Sequence, residues 1–159
     1  HIPAAFSKAL ADRLNTLCAF RVKEAEDGEM ILPNNVYIAP GGRQMAVIES
    51  GGKRMIRIDD SPMVNRHRPS VDFLFFSIAR NIRSPVVGVI LTGMGADGAK
   101  GMLQLKHSGA KTIAQDSSSC VVFGMPREAI QLGGANHIVH LNDIPLKIME
   151  LVAQFKSQD

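Results

Sequence analysis

Residues 86–98 read Val-Val-Gly-Val-Ile-Leu-Thr-Gly-Met-Gly-Ala-Asp-Gly, and that one stretch carries two signals. Val86 to Thr92 is an almost uniformly apolar run of strand length, the mark of a parallel strand covered on both faces. Leu91 to Gly98 is a glycine-rich turn where such a strand hands over to a helix, the edge at which α/β proteins place their sites.

Reading outward, strand-length and helix-length signals alternate. Ala99–Ser108 is helical, Thr112–Gln115 a strand, Pro126 starts a short helix, Ile138–Leu141 is a strand, and Ile144–Phe155 closes as a helix. Upstream, Ser70 can cap a helix running through Arg83 that turns Phe73, Leu74, Ile78 and Ile82 toward a core. Repeated strand–helix units predict an α/β fold of three layers, α/β/α, around a mainly parallel, doubly wound sheet. Between residues 19 and 60 lie the short runs Phe20–Lys23, Val36–Ala39, Met45–Ile48 and Met55–Ile58, punctuated by Asp27-Gly28, Pro40-Gly-Gly42 and Ser50-Gly-Gly52. These predict a small β-hairpin region. In residues 4–17, Phe6, Leu10, Leu14 and Leu17 form an amphipathic stripe, so that face is expected to pack inward.

Composition sets the outer bounds. A chain of 159 residues with 45% hydrophobic and 21% charged residues is the size and make-up of one globular domain. With no apolar run near the ~20 residues a membrane helix requires, and no signal-peptide pattern, the expectation is a cytoplasmic chain without membrane insertion. Cys18 and Cys120 are expected as two buried, reduced thiols. The net charge of +3 would suit an acidic partner, but Lys and Arg are dispersed and aromatics are few, so no nucleic-acid partner is predicted. The chain begins at His1 rather than Met, which predicts a longer parent protein.

The glycine turn admits three readings. Gly93, Gly95 and Gly98 fit the G-x-G-x-x-G spacing of dinucleotide-binding loops, with Asp116 near the place of a ribose-binding carboxylate. Asp97 opposes that reading, because a carboxylate at the start of the next helix would repel a pyrophosphate. Asp97 could instead cap the helix over glycines that merely shape a tight turn, or it could orient a histidine in acyl-transfer chemistry. Of the five histidines, His107 suits a helix C-terminus, and His137 and His140 flank a late strand in polar context. His67, in Asn65-Arg-His-Arg-Pro69, either lines a site or is solvated; His1 is the fifth.

Several ordered segments favour one of these readings over the others. His1-Ile-Pro3 with Phe6-Ser7 and Arg13-Leu14, then Tyr37-Ile-Ala-Pro40, Arg68-Pro-Ser-Val-Asp72, Gly88 to Gly98, Ile113-Ala-Gln115 and the run Cys120 to Ala129 together resemble the chemotaxis protein-glutamate methylesterase family, from His1 to about Val152. The resemblance implies a Ser-His-Asp hydrolase that removes methyl esters from chemoreceptor glutamates and deamidates receptor glutamines. Carried over by motif, His1 is the general base, Asp97 the carboxylate that orients it, and Met94 a neighbour of the serine that helps build the oxyanion pocket. The implied partners are the cytoplasmic helices of methylated chemoreceptors, with an upstream receiver domain in the members that carry one. No cofactor or metal is expected. The family's nucleophilic serine lies in a Gly/Ser/Thr-rich turn ahead of the His-x-Pro motif, and no such segment is found in residues 1–159. The expectation is thus one N-terminally incomplete catalytic domain, inactive alone as an esterase, with a non-catalytic receptor-binding module or a dinucleotide-binding domain built on Gly93, Gly95 and Gly98 as the alternatives.

Overall fold

The computed structural model describes residues 1–157, and the chain packs as two compact units, His1–Ile82 and Arg83–Asp159. The first unit opens with helix α1 (Ala4–Leu17), whose preceding residue Pro3 is extended. Its inward face differs from the expected stripe. The buried residues are Ser7 and Ala11, whereas Phe6, Leu10 and Leu17 are 61%, 39% and 71% exposed. Small side chains let the helix backbone approach its neighbours closely, and a buried hydroxyl is tolerated there because it is bonded twice. The Ser7 Oγ donates to Glu24 Oε1 (2.8 Å) and accepts from the Gly41 amide (2.9 Å).

Strands β1 (Arg21–Glu24) and β2 (Asn35–Ile38) pair in parallel, and β3 (Gln44–Ser50) and β4 (Lys53–Asp59) form an antiparallel hairpin around Gly51-Gly52. The expected hairpin region is therefore half correct. A parallel pair needs a crossover, and residues 25–34 supply it as a loop with turns at 27–28 and 33–34 that is bonded to β4. The Gly28 and Ile31 amides donate to the Ile56 and Arg54 carbonyls, and the Ile56 amide donates back to Glu29. Ala25, Met45, Ile56 and Ile58 form the core of this unit, with Ile31, Tyr37 and Leu74 packed on it. Leu74 comes from helix α2 (Val71–Asn81), capped by Ser70, whose side chain accepts from the Phe73 amide (3.3 Å). The Ser77 hydroxyl accepts from the Val47 amide and ties α2 to β3.

The second unit is a run of strand–helix repeats. Strands β5 (Val87–Ile90), β6 (Lys111–Gln115) and β7 (His137–Val139) are parallel neighbours in that order, joined through α3 (Ala99–His107) and α4 (Met125–Gln131). A 3-10 turn at Leu141–Asp143 leads into α5 (Ile144–Lys156). Residues 138–141 were expected as the last strand, but pairing stops at Val139 because His140 turns the chain by accepting the Asn142 amide on its ring. Ile113, Ile144 and Leu151 are the core, flanked by Val87, Val89 and Val139. The expectation of two buried thiols fails: Cys18, at the end of α1, is exposed, and Cys120 is only half-buried.

Candidate active site

In the first unit His1 sits on the extended arm ahead of α1. Gly41 holds that arm in place: it is buried so close to Ile2, Pro3 and Ala4 that a Cβ there would overlap their backbone. The His1 side chain is exposed and borders a pocket of about 100 Å³ walled by Ala39, Met45, Pro69, Val71 and Leu74. Its imidazole stacks on that of His67, with ring centroids 3.5 Å apart and planes 15° from parallel.

His67 ends a tight turn. Val64 and His67 exchange both backbone hydrogen bonds (3.0 and 2.9 Å), while Asn65 and Arg66 take left-handed conformations. Gln44, fully buried at the start of β3, fastens this segment. Its Nε2 donates to the carbonyls of Pro62 (3.0 Å) and His67 (3.2 Å), and its Oε1 accepts from the Ser70 amide (2.9 Å). Asn65 Nδ2 donates to the buried carboxylate of Asp72 (2.7 Å). Arg68 donates to the Asp60 carbonyl (3.2 Å) and keeps its Nε buried without a hydrogen-bond partner.

In the second unit, the loop after β5 carries Met94, 80% exposed, and Asp97, 1% exposed. The residue that caps α3 is Gly98, in a left-handed conformation. The loop is packed against the one after β6. The Gly93 and Met125 amides donate to the Val122 and Gly93 carbonyls, respectively, and Thr92 Oγ1 accepts from the Val122 amide (2.9 Å). Gln115, also fully buried, bridges both loops by accepting the Thr92 amide (2.8 Å) and donating to the Ser119 carbonyl (2.7 Å). Gly124 lies so close beneath the glycine turn that a Cβ would come within 2.6 Å of the Gly93 carbonyl oxygen and 3.0 Å of the Gly95 nitrogen. The spacing that resembles a nucleotide loop is thus accounted for by packing: Gly93 lies against α4 and Gly98 starts α3.

Asp116 closes its own turn. Its carboxylate accepts from the Ser118 and Ser119 hydroxyls, which hold its pKa below the ordinary aspartate value. Burial raises the pKa of the neighbouring Cys120 thiol. His107 ends α3 and His137 lies on β7, while the His140 side chain caps the 3-10 turn. Sequence reading missed the two buried glutamines. A glutamine at a strand end carries no local signal; its role becomes visible only when distant loops converge on its amide.

Of the candidate residues, then, Met94 and Asp97 share one loop of the second unit, and His1 with His67 belongs to the first. The CheB methylesterase family model matches residues 1–148. The chain belongs to the CheB methylesterase family. This CheB-family chain is 54% identical, over 96% of its length, to the protein-glutamate methylesterase/protein-glutamine glutaminase of Escherichia coli O157:H7, and 53% identical to that of Pectobacterium atrosepticum. It spans 44% of the length of each of these relatives. Among solved structures it is similar to the CheB methylesterase catalytic domain of Thermotoga maritima, with a TM-score of 0.91 and 44% identity, covering 95% of this chain and 80% of that one. The fold is accordingly that of the CheB catalytic domain, an α/β fold with mainly parallel strands, as the repeats from β5 onward predict.

Proposed function

We propose that this CheB-family chain is the larger part of the catalytic domain of a protein-glutamate methylesterase and glutaminase acting on the cytoplasmic helices of methylated chemoreceptors. The observation that carries the reading is the similarity running through 96% of the chain to enzymes of that name, with His1 and Asp97 inside the matched span. His1 is the general base, Asp97 the carboxylate that orients its imidazole, and Met94 a wall of the oxyanion pocket. The nucleophile is a serine contributed from outside residues 1–159.

The chemistry follows from those roles. The serine Oγ attacks the ester carbonyl while His1 takes its proton, and the tetrahedral oxyanion is held by amide donors. The protonated His1 then gives its proton to the departing methoxide, or to the nitrogen of an amide, so methanol or ammonia leaves and a glutamyl-enzyme ester remains. Water, deprotonated by His1, attacks that ester, and His1 returns the proton to the departing serine Oγ, so glutamate leaves and the serine is restored. Among the features of this chain that support the reading, His1 borders a pocket and is open to solvent, while Asp97 is withdrawn from it, as suits a carboxylate that orients a base rather than attacks.

Methanol release from methyl-esterified receptor by the full-length protein tests the reading. His1→Ala and Asp97→Ala should each lower kcat by about 10³-fold or more while leaving the fold intact by circular dichroism. Wild-type turnover in either folded variant rejects the assignment.

A further inference from the structure

The family motif gives a role to His1 but none to the ring stacked against it. We propose that His67 is a positioning residue for the His1 base: its imidazole lies face to face on that of His1 and restricts the rotation that would swing the basic nitrogen away from the nucleophile. This rests on the reading of His1 as the base.

The geometry supports a deliberate stack. A centroid separation of 3.5 Å equals the contact distance between carbon atoms, so two nearly parallel rings at that distance overlap with almost no lateral offset. Such a stack constrains a ring about its own bonds, which a contact at the rim would not do. The two partners are also mounted differently. His1 stands on the short arm ahead of α1, outside the helices and strands. His67 closes a turn fixed at both ends by backbone bonds, with its carbonyl held by buried Gln44 and the turn's Asn65 held by buried Asp72. The His67 ring thus meets the His1 imidazole from a turn whose backbone is fastened to the protein, which suits it to act as a stop for that ring. Catalysis is sensitive to such placement, since a displacement of about 1 Å in a reacting group can cost about 10²-fold.

The test compares His67→Ala, His67→Phe and His67→Gln in the full-length protein, with methanol release from methyl-esterified receptor as the readout. Loss of the stack should lower kcat about tenfold in the Ala variant with KM unchanged, because the substrate contacts remain while the base is misplaced. Phe supplies a flat face without a titrating nitrogen and should restore kcat to within about threefold of wild type; Gln, polar but without a ring face, should stay as slow as Ala. Wild-type kcat in His67→Ala overturns the proposal, and so does a Phe variant as slow as Ala. Should the Ala variant fail to fold, the Phe-to-Gln comparison decides alone. His1→Ala is run alongside: full activity there rejects the base assignment itself, whereas an inactive His1→Ala beside a normal His67→Ala rejects only the stacking role.

Discussion

Ser7 and Asp116 show how much a single polar side chain can hold in this chain. The Ser7 hydroxyl is fully buried and bonded to both Glu24 and the Gly41 amide, so it links α1, β1 and the turn that braces the His1 arm. Removing it leaves the buried Gly41 N–H without its acceptor. Ser7→Ala is expected to cost about 1–3 kcal/mol, read as a lower denaturation midpoint at unchanged m-value. For Asp116, hydroxyl donors stabilise the charged form, so its folded pKa lies below that of the unfolded chain. A depressed carboxylate contributes stability that is complete above the unfolded value and is lost as pH falls through the folded one. Carbon-detected NMR titration should place the Asp116 midpoint below the ordinary aspartate value of about 3.9. The midpoint should rise in Ser118→Ala, since the Ser118 bond is the largest cause of the shift.

Between elements, packing distance decides what a residue can be. Gly124 has an ordinary φ of −106°, so alanine would fit its backbone conformation; what excludes a side chain is the glycine turn above it. The atoms in the way, Gly93 oxygen, Gly95 nitrogen and Met94 Cα, are all backbone and cannot rotate aside. Gly124→Ala should therefore push the Met94 loop out of place, lowering methanol release by the full-length protein about 10²-fold with a modest loss of stability, about 1–3 kcal/mol. Elements of this kind were unevenly legible. The apolar run at β5, the Ser70 cap and the α3–β6–α4 succession were readable because each rests on local periodicity or a capping residue. The inward face of α1 was not: apolar spacing points to Phe6 and Leu10, but helix–sheet approach selected Ser7 and Ala11, and the bonds that make Ser7 acceptable come from Glu24 and Gly41. The parallel pairing of β1 and β2 was equally hidden, because alternation reveals a strand and not its partner. At the site, Met94 and Asp97 could be named from their loop, whereas the hold of Gln44 and Gln115 depends on chain segments that meet only in three dimensions.

For the molecule as a whole, the proposed chemistry needs a nucleophile, a base and an orienting carboxylate, and these residues offer candidates for the last two. Ser7, Ser70, Ser77, Ser108, Ser118 and Ser119 each commit the hydroxyl to a carboxylate or a backbone group, the arrangement of a structural serine and not of one poised for attack. An activated serine would instead share its proton with an imidazole. The distinction can be read directly by treating the full-length protein with a serine-directed fluorophosphonate and mapping the adduct by mass spectrometry. The label is expected on a peptide outside residues 1–159, with its rate falling in His1→Ala, since the base that activates the nucleophile for substrate also activates it for the probe. A stoichiometric adduct on a serine within these residues would place the nucleophile in this chain and refute the division of labour proposed here.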